Sequence, residues 1–148
     1  MTVEIAIDES ELVNLVTNEF DKIRVPVQDA MAERFEIMVK QNIGSQDGDY
    51  RPTEWSPLSK GYAKRVGRPY ATLKLTGELE NSIARESSSD EASVVCSISY
   101  AAEHQYGEGK LPARPFFPIM SGEFTDIAVE QCVDAAKVKL QELLNGSA

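Results

Sequence analysis

The chain has 148 residues, 42% of them hydrophobic and 26% charged, with 24 acids against 15 bases and a net charge of −9. That length and apolar share fit one domain that buries a sizeable core, and they exclude wholesale disorder. The acidity disfavours nucleic acid as a partner, because non-specific binding depends on Lys and Arg neutralising phosphates.

The charge is unevenly placed. Residues 1–50 carry a net −7, residues 51–114 a net +1 and residues 115–148 a net −3. Within the middle segment Arg51, Lys60, Lys64, Arg65, Arg68 and Lys74 stand against Glu54 alone. No apolar run approaches the roughly 18 residues a bilayer span needs. The start, Met1-Thr2-Val3-Glu4, lacks the basic and apolar regions of a signal peptide. Cys96 and Cys132, far apart and each in an apolar pattern, read as buried free thiols in a reducing cytoplasm.

In chain order, Val3, Ile5 and Ile7 alternate with polar or small residues and predict a short edge strand. Asp8 and Glu11 make a capping-box-like start. Leu12, Val13, Val16, Phe20 and Ile23 then recur at helical spacing. Pro26 is expected to end this helix or offset it from the next, since it lacks an N–H and fixes its own φ. Val27, Met31, Phe35, Met38 and Asn42 form the core-facing stripe of a second helix, flanked by Ala30 and Val39. Residues 44–72 carry so many Gly, Pro, Ser and Asp punctuators that a long loop is expected. That loop also holds Tyr50, Trp55, Leu58, Tyr62 and Tyr70.

Thr76 to Asn81 reads as a helical turn feeding a hairpin, with Ile83–Glu86 and Val94–Tyr100 as strands and 87–91 as the turn. Tyr100 to Tyr106 reads as a short helix closed by Gly107. Leu111 to Pro118 holds three prolines and must be extended. Val129, Cys132, Val133, Ala136, Leu140, Leu143 and Leu144 define a C-terminal amphipathic helix ended by Asn145-Gly146. The fold class is α+β: a small antiparallel sheet packed by N- and C-terminal amphipathic helices, with a long Pro/Gly-rich loop. The organisation is a single domain over 1–148. Its parts are an N-terminal strand and helices (1–43), the loop (44–72), the hairpin and Pro-rich arm (73–118) and the C-terminal helix (119–145).

Nothing in the sequence assembles a catalytic, metal or cofactor site. Zinc needs three or four closely arranged ligands, and Cys96, Cys132 and His104 form no paired motif. A Cys96–His104 pair has no family spacing, and Gly107-Glu108-Gly109-Lys110 lacks the phosphate-loop pattern. A paired-carboxylate hydrolase has 24 acids to draw on and no motif behind it. His104 reads as structural, either exposed on its helix or against the Pro-rich arm. The aromatic and basic residues of the loop suit either a protein interface or stacking on single-stranded nucleic acid, and the net charge favours the interface.

Four segments stand in a suggestive order: Trp55-Ser56-Pro57-Leu58-Ser59, Leu75-Thr76-Gly77-Glu78-Leu79 with Ser82-Ile83, Tyr100 to Gly107, and Pro112-Ala113-Arg114-Pro115-Phe116. Together with Arg34-Phe35-Glu36 they resemble the phage virion morphogenesis (tail completion) family of Mu-like and P2-like tailed phages and prophages, over residues 27–120. The resemblance implies a non-enzymatic protein of the virion tail or neck, made in the bacterial host cytoplasm. It also implies a homo-oligomeric ring, often hexameric, that meets tail-tube or head–tail connector proteins.

On that basis Trp55, Pro57, Leu58, Tyr62, Lys64, Arg65 and Arg68 are the expected assembly interface. Gly77, Leu79, Tyr100, His104, Gly107, Pro112, Arg114, Pro115 and Phe116 are the expected structural motif. Arg114, set between prolines, is expected to pair with a carboxylate such as Glu103. The alternative function is a nucleic-acid-binding module using the basic aromatic loop 51–74.

Overall fold

The structure, a computed structural model, describes residues 9–44, 50–67 and 72–146. The edge strand expected at Val3–Ile7, the Asp8 cap, Arg68 and Tyr70 lie outside them. The elements run α1 (Glu9–Gly44), α2 (Lys60–Val66), α3 (Glu78–Asn81), β1 (Ile83–Ser87), β2 (Ala92–Cys96), α4 (Ala101–Tyr106), β3 (Ile119–Met120), β4 (Glu123–Phe124) and α5 (Asp126–Gly146). The class is α+β, with two two-stranded antiparallel sheets among the described residues.

The expected break at Pro26 does not occur. The proline lies inside the 36-residue α1, about 54 Å long at 1.5 Å per residue. Pro26 cannot donate to the Lys22 carbonyl, so tertiary contacts must hold the helix across that point. They are polar and lie on both sides of it. Arg24 donates to the carbonyls of Ser89 and Asp90 at the hairpin turn. Asp29 pairs with Arg85 at 3.2 Å and accepts from the Ser87 hydroxyl at 2.6 Å. Val13, Phe20 and Ile23 from the first apolar series are exposed, whereas Met38, Val39, Asn42 and Ile43 are fully buried. The side chains of Leu12 and Val16 lie outside the described ones.

The hairpin pairs β1 with β2 in the register Ile83↔Cys96 to Ser87↔Ala92. Its turn is closed by Ser88, whose Oγ accepts from the amides of Asp90 and Glu91. The second strand stops at Cys96, earlier than expected, because Ile98 turns and its carbonyl receives the Ala101 amide. The alternation still holds: Val94, Cys96, Ile98 and Tyr100 all pack on the core of Val39, Ile43, Leu79, Ile83 and Phe116. Between β3 and β4, Ser121 and Gly122 both have positive φ (54° and 83°), the two-residue turn that suits strand twist.

α5 packs along α1, but its inner face is rotated from the expected stripe. Ala128 is buried, and Cys132, Ala135, Ala136 and Leu143 are half-buried. Val129, Val133, Leu140 and Leu144 are exposed. Small side chains let the two backbones approach, close enough for the Cys132 thiol to reach the Met31 carbonyl at 3.6 Å. Arg34 fastens the pair by donating to Gln131 Oε1 at 2.6 and 3.1 Å.

Candidate functional site

The Pro-rich arm has few amides to offer a sheet, and side chains take over the role of strand partners. Gln105, buried on α4, accepts from the amides of Phe116 and Phe117, both at 3.0 Å, and donates to the Phe117 carbonyl. Asn42, 1% exposed on α1, donates to the Phe116 carbonyl at 2.9 Å and accepts from the Tyr50 amide. Trp55 Nε1 donates to the Pro115 carbonyl at 2.9 Å. Gly107 makes the close return possible: at φ 78°, an added Cβ would stand 2.8 Å from the Ala113 nitrogen. The arm is thus clasped from α1, from α4 and from the loop before α2.

Arg114 completes the clasp in a way the sequence reading did not foresee. Its guanidinium donates to the carbonyls of Ser56 (2.8 Å) and Pro57 (3.1 Å), not to Glu103. Glu103 is exposed on α4, while Arg114 is turned toward the loop before α2 and is only 5% exposed as a residue. No carboxylate lies within ion-pairing distance of it among the described residues. Burial lowers its pKa.

Beside the clasp lies a cleft of about 660 Å³. Its apolar walls include Leu58, Tyr62, Leu73 and Leu111, and its polar groups include Tyr100, His104, Lys110 and Arg114, with Glu78 the one acid. Leu73 is held at φ 62°, a conformation rare outside glycine, with its side chain packed against the core. His104 stands edge-on to Tyr100 at 5.6 Å, and its Nδ1 is buried with no hydrogen-bond partner. Burial pushes the His104 pKa down, Arg114 adds to the shift and Glu103 opposes it. Burial raises the Tyr100 phenol, helped by Glu78 and Cys96.

The expected loop over 44–72 contains a regular element, α2. Ser59 caps it by accepting from the Tyr62 amide, and Gly67 ends it in the left-handed conformation. Both signals are legible in retrospect as Ser-x-x and a closing Gly around an apolar Tyr62, Ala63 and Val66 face. Of the expected interface, Leu58 and Tyr62 are half-buried and Pro57 exposed, all three in the cleft wall. Lys64 and Arg65 are exposed on α2, Arg65 lying 5.1 Å over the Tyr62 ring.

Trp55 packs on the core, its ring covered at 4.1 Å by Arg51, so it serves the clasp and offers no free stacking face. Of the motif residues, Gly77 opens α3 at φ 83°, Leu79 and Phe116 are core, and Pro112 is exposed in the cleft wall. Tyr100, His104 and Arg114 line the cleft, Gly107 closes α4, and Pro115 joins the clasp through its carbonyl. Sequence reasoning gave no role to Gln105; a buried Gln beside an amide-poor arm was the available signal.

Both cysteines are free and half-buried. Cys96 Sγ engages Ser82 Oγ at 3.1 Å while His104 faces Tyr100, so the two are not set up as a nucleophile and base. Burial raises the Cys132 thiol, against the opposing effect of Arg34. No helix among the described residues is long and apolar enough to cross a membrane.

Fold and cleft define a small α+β protein with an apolar-walled cleft beside a side-chain-clasped arm. The phage virion morphogenesis family model matches residues 9–138, and the chain belongs to that family, which places it in virion assembly. The match takes in both terminal helices, beyond the 27–120 span of the sequence motifs. No curated protein and no solved structure gives a significant match.

Proposed function

We propose that this chain acts late in virion assembly, completing the phage tail or joining it to the head as a subunit of a ring. It works as a binding protein without cofactor or catalysis, first in the host cytoplasm and then as part of the tail or neck. The observation that supports this best is a pair of unlike faces on one chain. One is the cleft, with Lys110 in its wall and Lys60 and Lys64 exposed on the adjoining α2, all three in no ion pair among the described residues. The other is the outer side of α5, where Val129, Val133, Leu140 and Leu144 form an exposed apolar row. Contiguous apolar surface of this kind marks interaction sites, and unlike faces build rings. The partners in this reading are further copies of the chain and a tail-tube or connector protein.

The test is genetic and visual. A phage lacking the chain is expected to yield heads and tails that fail to join, counted by electron microscopy and restored by the chain in trans. Lys64→Glu with Arg65→Glu is expected to cut finished virions at least tenfold. An unchanged yield with normal ring formation removes α2 from the interface. The clasped Trp55 argues against base stacking by this loop. A flat single-stranded DNA titration at low salt is the matching result.

A further inference from the structure

We propose that the cleft beside α2 of one copy receives the acidic outer face of α5 from a second copy. The proposal deepens the ring reading and rests on its self-assembly part. Among the described residues, the nearly buried Arg114 in the cleft has two carbonyl acceptors but no carboxylate, and the buried His104 Nδ1 has no hydrogen-bond partner. Carbonyl oxygens hold that charge without neutralising it, so a carboxylate brought to the cleft meets a favourable field from Arg114, Lys110 at the wall and Lys64 on α2, opposed in the lining by Glu78. The apolar walls in turn require a ligand that brings side chains as well as charge.

α5 carries that combination on one side. Val129 and Val133 are exposed one turn apart. Asp126, Glu130 and Asp134, at the same four-residue spacing, form an adjoining row, all exposed and in no ion pair among the described residues. The cleft wall is drawn from residues 57–79 and 100–114 and shares nothing with α5. One copy can therefore use both faces at once, and a heterologous contact of this kind propagates until it closes on itself.

Charge reversal tests the contact on the full chain by sedimentation velocity at micromolar concentration and low salt. The wild type is expected to self-associate, and 0.5 M salt to weaken this at least tenfold. Lys64→Glu with Lys110→Glu, or Glu130→Lys with Asp134→Lys, is expected to abolish it. The fourfold variant, with both faces reversed, is expected to regain it. Circular dichroism melting confirms that each variant is folded.

A wild type that stays monomeric, or a folded fourfold variant that does not recover, overturns the proposal. A monomeric chain that still rescues virion yield overturns this contact alone and leaves the assembly role standing. If the cleft variant then blocks yield, the cleft belongs to another virion protein.

Discussion

The clasped arm and the outer face of α5 solve opposite problems with opposite chemistry. The arm is extended, proline-rich and poor in donors, yet Gln105, Asn42 and Trp55 hold its backbone from three separate parts of the chain, and its own Arg114 reaches back to the loop before α2. The α5 face belongs to a regular helix, and its Val129, Val133, Leu140 and Leu144 are exposed while Asp126, Glu130 and Asp134 are in no ion pair among the described residues. Irregular backbone is buried here and regular backbone is left open. The difference teaches where the molecule is finished and where it is open: the polar clasp serves this chain's own stability, and the bare helix face is the one proposed above for association.

Substitutions in the two regions should therefore differ in kind. The largest effect is expected from Gln105→Leu, which strands one buried and one half-buried amide at about 1–3 kcal/mol each, so a loss of about 2–6 kcal/mol in urea unfolding. Trp55→Phe keeps an aromatic ring but loses the wider indole and its hydrogen bond to Pro115, and a smaller loss of about 1–2 kcal/mol would show the clasp to be graded.

A smaller effect comes through pH. His104 is held below its ordinary 6.5, so the unfolded chain binds the proton more readily than the folded one. Its contribution is full above the unfolded value and is lost as pH falls toward the folded one. His104→Gln is expected to flatten the drop in thermal stability between pH 7 and pH 5, and an unchanged slope would show that the ring is freely protonated in the fold.

The smallest effect on stability is expected from Leu140→Ser with Leu144→Ser, within about 0.5 kcal/mol because both side chains are exposed. The same pair is expected to weaken self-association in the analytical centrifuge. A destabilisation of several kcal/mol would instead place these leucines in the core and erase the contrast.

Much of the fold was legible because its signals are local. Gly107 after Tyr106, the Ser-rich turn at 87–91 and the prolines from 112 to 118 each punctuate the chain where they stand, and α3, α4, the hairpin and the arm follow. What was misread depends on distant partners. Pro26 stays within α1 because residues 85–90 grip the helix around it. The inner face of α5 keeps Cys132, Ala136 and Leu143 of the expected stripe and adds Ala128 and Ala135, whose small size suits close packing, while Val129, Val133 and Leu140, also expected there, stay exposed. Of the candidate site, Tyr62, Lys64 and Arg114 were singled out from sequence. The cleft itself, and the roles of Gln105 and Leu73, required the chain to be folded.

The clasp also sets an order of events during synthesis. Its hydrogen bonds join residues 74 apart between Asn42 and Phe116, 60 apart between Trp55 and Pro115, and 58 apart between Arg114 and Ser56. Such distant pairings close slowly and late. The buried end of α1 and the loop before α2 must wait, incompletely covered, until Phe117 has left the ribosome. Nascent chains stalled before that residue are expected to remain protease-sensitive, and those stalled well beyond it to become resistant in a single step.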